Sequence, residues 1–252
     1  MPLGEVVVKG VPSDVPRFVT LHAAIVKGPK RVIENTWDFY CYPRVDRPAA
    51  ISGVYSEAGA SPGAVELKPG EALPKDVRVL ITRELKRDRH SAFLREGKTA
   101  VLLLGTGGFK EHKAGYFLNQ YGAGYGGIIE EHPVFAGIPH EGRIHPGLCQ
   151  MVAGGSLLNA EGMPRALRDG AVVWGLQLTG WISPVKNLNR TLHWSEVITE
   201  NQLHLVLCSF DLLSNKPESR YVLGRTIDYL LAARPCALAK RCETAELNLL
   251  LR

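Results

Sequence analysis

The stretch VRVLITRELKRDRHSAFLREGKTAVLLLG, Val77 to Gly105, sets the fold class. Its ends, VRVLIT and TAVLLLG, are short continuous apolar runs of the kind found in strands buried on both faces. Between them, RELKRDRHSAFLREG has the spacing of an amphipathic helix stopped at Gly97. A strand, a helix and a second strand in this order form a βαβ crossover, with the strands parallel and the connection right-handed. The charges of RELKRDRH, Arg83 to His90, mix both signs and read as a solvated helix face.

Downstream the α/β texture continues. AVVWGLQLTGW (Ala171 to Trp181), LHWSEVIT and LHLVLCSFDLL read as strands. ESRYVLGRTIDYLLAA, Glu218 to Ala233, reads as a closing helix that packs Tyr221, Val222, Ile227, Leu230 and Leu231 on the sheet. The tail, residues 234–252, reads as one more short helix or a frayed end. The domain expected from this pattern spans residues 77–233.

Upstream the texture changes twice. Residues 45–76 are rich in Pro, Gly and Ala and read as a linker crossing between domains. Residues 1–44 read as about three β-strands: EVVVKG, RFVTLHAAIV and RVIENTWDFYCYP. KGPK supplies the turn between the last two. Alternation places Ile33, Asn35, Trp37, Phe39 and Cys41 on one face, with Trp37 expected in a core. Three strands form part of an antiparallel β-sandwich and leave that aromatic face and the strand edges asking for cover.

The chain has 252 residues, 45% hydrophobic and 22% charged, which suits a globular protein with a sizeable core. Its net charge is +5, but the basic residues are scattered. Nucleic-acid binding needs a one-sided basic patch, so none is expected. No apolar run reaches a membrane span and no leader pattern opens the chain, so the expectation is a cytoplasmic protein with no membrane contact. Five cysteines, an odd number with no CxxC, point to reduced thiols, with Cys41 and Cys208 read as buried small hydrophobes.

Candidate chemistry is sparse. GTGG, Gly105 to Gly108, follows an apolar strand, and ligands of open α/β sheets bind at that edge. Gly105, Gly107 and Gly108, with His132 and His140, therefore form a possible ligand edge; the alternative for GTGG is a tight turn. GAGYGG, Gly122 to Gly127, matches G-x-G-x-x-G but has no long helix after it and reads as a loop. EEHPVFAGIPHEGRIHPGLC gathers Glu130, Glu131, His132, His140, Glu141, His145 and Cys149. Pro139 and Pro146 break any helix that would align these groups, so no metal site and no Cys149–His145 nucleophile is assigned. Glu130 and Glu131 are adjacent and point apart, so no glycosidase-type carboxylate pair emerges, and no cofactor is expected. Trp181 and Trp194 flank ISPVKNLNRTLH, where exposed indoles would offer faces to a sugar ring.

ENTWDFYCYP resembles the last strand of the β-sandwich that precedes the C-terminal region of many family 2 glycoside hydrolases, the β-galactosidase-like enzymes. The matching positions are Asn35, Trp37, Phe39, Tyr42 and Pro43. VRVLITREL, TAVLLLG, HPVFAGIPHEG (His132 to Gly142), LVLCSFDL and the closing helix are similar, in the same order, to the domain that follows it. The resemblance runs over about residues 4 to 233. It implies a flavodoxin-like, class I amidotransferase-like α/β domain: a mostly parallel sheet with helices on both faces, preceded by a partial antiparallel sandwich. It further implies a non-catalytic accessory part of such an enzyme, used to scaffold, to oligomerise or to shape the edge of a carbohydrate site. The expected partner is a second copy of the chain or a catalytic glycoside hydrolase chain that carries the barrel. Two departures stand out: VITENQLHLVL, with Asn201 as its only good turn former, replaces a glycine-rich turn, and GRIHPGLCQM replaces an aromatic-rich helix start. No position matches a catalytic residue of that family. Two other readings stay open. One is a self-contained amidotransferase-like or trehalose-utilisation-like enzyme using Gly105 to Gly108 with His132, His140 or Cys149. The other is a free carbohydrate-binding module using Trp181 and Trp194.

Overall fold

The computed structural model describes residues 13–44, 49–97, 99–105, 111–112, 125–144, 148, 151, 157–160, 163–178 and 188–251. The βαβ unit forms as the sequence dictates. Strand β5 (Val79–Thr82) and strand β6 (Ala100–Leu104) pair in parallel across helix α1 (Arg87–Glu96). Every residue of both strands is buried, which is why neither shows polar alternation. Gly97 ends α1 at φ 65°, and a Cβ there would lie 1.9 Å from the Asn201 carbonyl oxygen. The Asn201 amide in turn donates to the Leu94 and Arg95 carbonyls, at 2.8 Å each, and so satisfies orphan groups of the last helical turn. Asn201 thus caps a helix, and the left-handed residue of its own turn is Gln202.

Around this unit lies one mixed sheet. Five strands run parallel in the order β4 (Val65–Glu66), β3 (Val54–Ser56), β5, β6 and β12 (His204–Cys208). Beyond β12 the sheet continues antiparallel through β11 (Leu188–Thr199), β10 (Ala171–Leu178) and β8 (Tyr125–Ile129). The short strands β7 (Glu111–His112) and β9 (Leu157–Asn159) attach beside β11, and β13 (Lys240–Cys242) pairs with it in parallel. Helices cover both faces. Helix α3 (Pro217–Leu231) seals one with Tyr221, Val222, Ile227 and Leu230 against Val79, Ile81, Leu102 and Trp194. Leu94 of α1, Leu167 of α2 (Arg165–Asp169) and Leu247 of α4 (Thr244–Leu247) seal the other against Leu80, Val101, Leu103 and Leu205. Pro217 opens α3, where its missing N–H costs nothing.

Residues 45–76 do more than connect: they supply β3 and β4, and Val54 is fully buried. Strands of three and two residues among glycines and prolines carry too few positions to show a period. The tail is docked through β13 and α4, whose capping box pairs Glu243 with Glu246, and Leu247 and Leu250 are buried. In the N-terminal segment the described residues form a two-stranded hairpin, β1 (Arg17–Lys27) and β2 (Lys30–Cys41), joined at Gly28–Pro29 with Gly28 at φ 62°. EVVVKG lies outside the described residues.

The hairpin register puts Val19, Leu21 and Ile25 opposite Phe39, Trp37 and Ile33 on one face. That face is not a core. Trp37 is 44% exposed and Ile33 60%, and Cys41 is exposed, contrary to its reading as a buried hydrophobe. Among the described residues the hairpin is anchored at its root, where Tyr42 packs on Tyr221 with ring centroids 5.8 Å apart.

Candidate functional sites

Two buried polar clusters and three clefts carry the chemistry. The first cluster centres on Glu196 in β11. Glu196 follows Trp194 on the same inward face of the strand, and both are fully buried. A carboxylate in that position must be surrounded by donors. Its Oε1 accepts from His204 Nε2 at 2.5 Å and from the Tyr229 hydroxyl at 2.5 Å. Its Oε2 accepts from His132 Nε2 at 2.8 Å and from the Cys236 thiol at 3.4 Å. The Tyr229 oxygen accepts the Cys236 backbone N–H at 2.7 Å. Burial alone would raise the Glu196 pKa, but donation from His132, His204 and Tyr229 outweighs it and holds the group well below the usual carboxylate range. Burial and the same carboxylate push Tyr229 far upward. For His132, burial works downward, and its interactions with the Cys236 sulfur and the Glu196 carboxylate lift it above its ordinary value.

His132, Glu196 and Cys236 bring their donor atoms within 4.8 Å of one another. A metal on His132 Nε2 would require the ring proton on Nδ1, yet Nδ1 already accepts the Val134 N–H at 3.2 Å. The arrangement suits a hydrogen-bonded core that ties α3 and the 132–138 loop to the sheet.

The second cluster sits at the C-terminal ends of β3 and β5. Glu57 Oε1 accepts from Arg89 Nε at 2.5 Å, and Oε2 accepts from His90 Nε2 at 2.9 Å. His90 Nδ1 accepts the Lys86 backbone N–H at 2.8 Å, which fixes the ring nitrogen facing Glu57. Burial raises the Glu57 pKa, but the bonds from His90 and Arg89 win and bring it down to about 2. RELKRDRH is therefore not a uniformly solvated face: His90 is buried and Arg89 largely so. These groups line a crevice of about 680 Å³ that also takes in Lys68, Arg83 and Lys86.

The sequence-derived ligand edge is divided by the fold. Gly105 ends β6 at φ 85°, with its N–H on the Cys208 carbonyl at 2.9 Å. Gly107 and Gly108 lie outside the described residues, as do His145, Cys149 and Trp181. His132 and His140 border one cleft of about 860 Å³. His132, however, turns its ring inward to Glu196, with no exposed side-chain surface. His140 is half-buried, its Nδ1 accepting the Gly142 N–H at 3.0 Å, and burial lowers its pKa. Trp194 is the clearest correction. It is fully buried against Phe135 and His132, with ring centroids 5.3 and 5.9 Å away, and has no face left for a sugar. Glu130 accepts from Trp174 Nε1 at 3.4 Å and Glu131 is exposed, consistent with neighbours that point apart. A smaller cleft of about 420 Å³ opens at the hairpin root between Phe18 and Tyr40 on one side and His140, Glu141 and Arg143 on the other.

Sequence reasoning singled out His132 but missed its partners in the first cluster, and it missed the second cluster. The available signal for the first was Glu196 itself, an acid two positions from Trp194 in an apolar strand. For the second it was His90, at the helix position four before Leu94. No family model matches the chain, and no curated protein matches it.

Proposed function

We propose that this chain is a non-catalytic assembly module of a β-galactosidase-like glycoside hydrolase, joined to the rest of the enzyme through its N-terminal hairpin. The observation that carries the reading is the exposed apolar face of β1–β2. Val19, Ile25, Ile33, Trp37 and Phe39 are each between 42% and 60% exposed, and all lie on one side of the ribbon. A two-stranded ribbon is marginal in water by itself. An apolar face of this kind is what one half of a sandwich presents to the other. The occupant is a sheet of the hydrolase chain, the remainder of a sandwich whose last strand ENTWDFYCYP resembles. The parallel order β4-β3-β5-β6-β12 matches the 2-1-3-4-5 arrangement of flavodoxin-like sheets, as the same resemblance implies. The thiols described, Cys41, Cys208, Cys236 and Cys242, are all free, which suits a reducing compartment such as the cytoplasm.

The cleft at the hairpin root supports a further part of the role. Phe18 and Tyr40 are edge-to-face with centroids 5.1 Å apart, and His140 and Arg143 stand across from them. Aromatic rings facing polar donors suit the edge of a carbohydrate site completed by the docked chain. The test is co-purification with a β-galactosidase-like chain that carries the barrel and an incomplete sandwich. A stoichiometric complex that Trp37→Lys abolishes supports the proposal. No complex, or one indifferent to Trp37→Lys, refutes it.

A further inference from the structure

The crevice holding Glu57 has a position and a lining that the assembly role does not use. After β3 the chain adds β4 on one side and then crosses to place β5 on the other, so the direction of strand addition reverses between β3 and β5. In open parallel sheets, a reversal of this kind leaves a gap outside the carboxyl ends of the two strands, because the connections leave in opposite directions. Glu57 follows β3, and Thr82 and Arg83 lie at the end of β5, so the crevice of about 680 Å³ occupies that gap. Its volume falls within the range of small-molecule sites, roughly 300–1,000 Å³.

The lining is ordered from beneath. The Lys86 N–H holds His90, His90 holds one oxygen of Glu57, and the other oxygen holds Arg89 by Nε alone. His90 is 1% exposed and the Glu57 side chain 14%, so this relay is part of the core and keeps Arg89 at the wall of the crevice. Among the described residues the Arg89 Nη atoms have no partner, and neither do the Arg83 guanidinium and the Lys68 ammonium. Glu84 is already paired with Lys86 at 2.9 Å. A fixed guanidinium fork flanked by two further cations suits a group with several charged oxygens.

We propose that this crevice binds a small phosphorylated molecule, with its phosphate held by Arg89, Arg83 and Lys68. The ionised Glu57 offsets the charge of Arg89, so Arg83 and Lys68 supply the unbalanced charge, which a phosphate dianion matches better than a single carboxylate does. The Arg89 fork still offers donors, and the remaining volume accommodates a polar body beside Glu66 and Pro69. Phosphate binding in this crevice does not depend on the hairpin or on what covers it.

The probe is inorganic phosphate, titrated into the full chain at constant ionic strength and followed by backbone amide shifts. The expected result is saturable shifts confined to Glu57–Gly59, Lys68–Gly70 and Thr82–His90. Arg83→Ala removes an exposed side chain that the fold does not need, and should raise the dissociation constant about tenfold. Arg89→Lys keeps the charge but loses the fork and should also weaken binding. Succinate is titrated in parallel and should bind more weakly. The absence of saturable shifts in the crevice, or phosphate binding unchanged in Arg83→Ala, overturns the site. Succinate binding as tightly as phosphate overturns the choice of phosphate.

Discussion

Replacing Glu196 with Gln tests the buried hub most sharply, because the change is nearly isosteric. The carboxylate accepts four bonds, two on each oxygen, from His204, Tyr229, His132 and Cys236. A carboxamide keeps one oxygen and turns the other into an NH2 donor. In either orientation the NH2 faces two donors, so two bonds are lost and two buried groups are left unsatisfied. The two bonds that survive lose their charge assistance. Bonds to a charged group contribute about 1.5–3 kcal/mol, and an unsatisfied buried group costs about 1–3 kcal/mol. Partial relaxation of the neighbours reduces the total, and breaking one partner of a buried charged pair costs about 3–5 kcal/mol in general. The expected loss is therefore about 4 kcal/mol. For a chain of 252 residues, each kcal/mol moves Tm by about 2–4 °C, so the expected fall is roughly 8–16 °C. Urea unfolding at pH 7 should show a lower midpoint at constant slope, and calorimetry the matching shift. A loss below about 1 kcal/mol would mean that the donors around Glu196 are satisfied without its charge, and the hub would not be what ties α3 to the sheet.

Other outcomes follow from the same physics. The Glu57 carboxyl is lowered from 4.5 to about 2, so its contribution is complete above pH 4.5 and is lost as pH falls toward 2. Allowing for screening by the open crevice, that contribution is about 2 kcal/mol, and Glu57→Gln should flatten the acid limb of a stability–pH curve over this window. Gly97→Ala would drive a Cβ into the Asn201 carbonyl and strain a positive φ, so it should cost about 2 kcal/mol or more in urea titrations. Burial pushes Cys208 and Cys242 up to about 12, whereas Cys41 is exposed. A thiol reagent at pH 8 should label Cys41 rapidly and the other two only on unfolding, as read by mass spectrometry.

The sheet was legible where burial is two-sided. VRVLIT and TAVLLLG are apolar at nearly every position because both faces of β5 and β6 are covered, and the parallel crossover follows from the helix between them. The hairpin was legible from KGPK and from alternation. Alternation, however, says which side chains share a face and not whether anything covers it, so Trp37 was placed inside while the structure leaves it exposed. Strands β3 and β4 were hidden by their length. The hub was hidden by separation: positions 132, 196, 204, 229 and 236 meet only when β11, β12 and α3 are stacked. Trp194 shows the same limit from the other side, since a tryptophan beside a polar loop reads alike whether its face meets solvent or Phe135.

Trp37 is 44% exposed, which for a side chain of roughly 250 Å² leaves about 110 Å² that the proposed docking would cover, worth about 3 kcal/mol. The most direct measurement is amide hydrogen exchange on β1 and β2, alone and with a β-galactosidase-like chain that carries the barrel and an incomplete sandwich. Docking as proposed should slow exchange along Arg17–Cys41 in the mixture, leave α1 and α3 unchanged, and lose that protection in Trp37→Lys. Hairpin exchange that is the same with and without the second chain would contradict it.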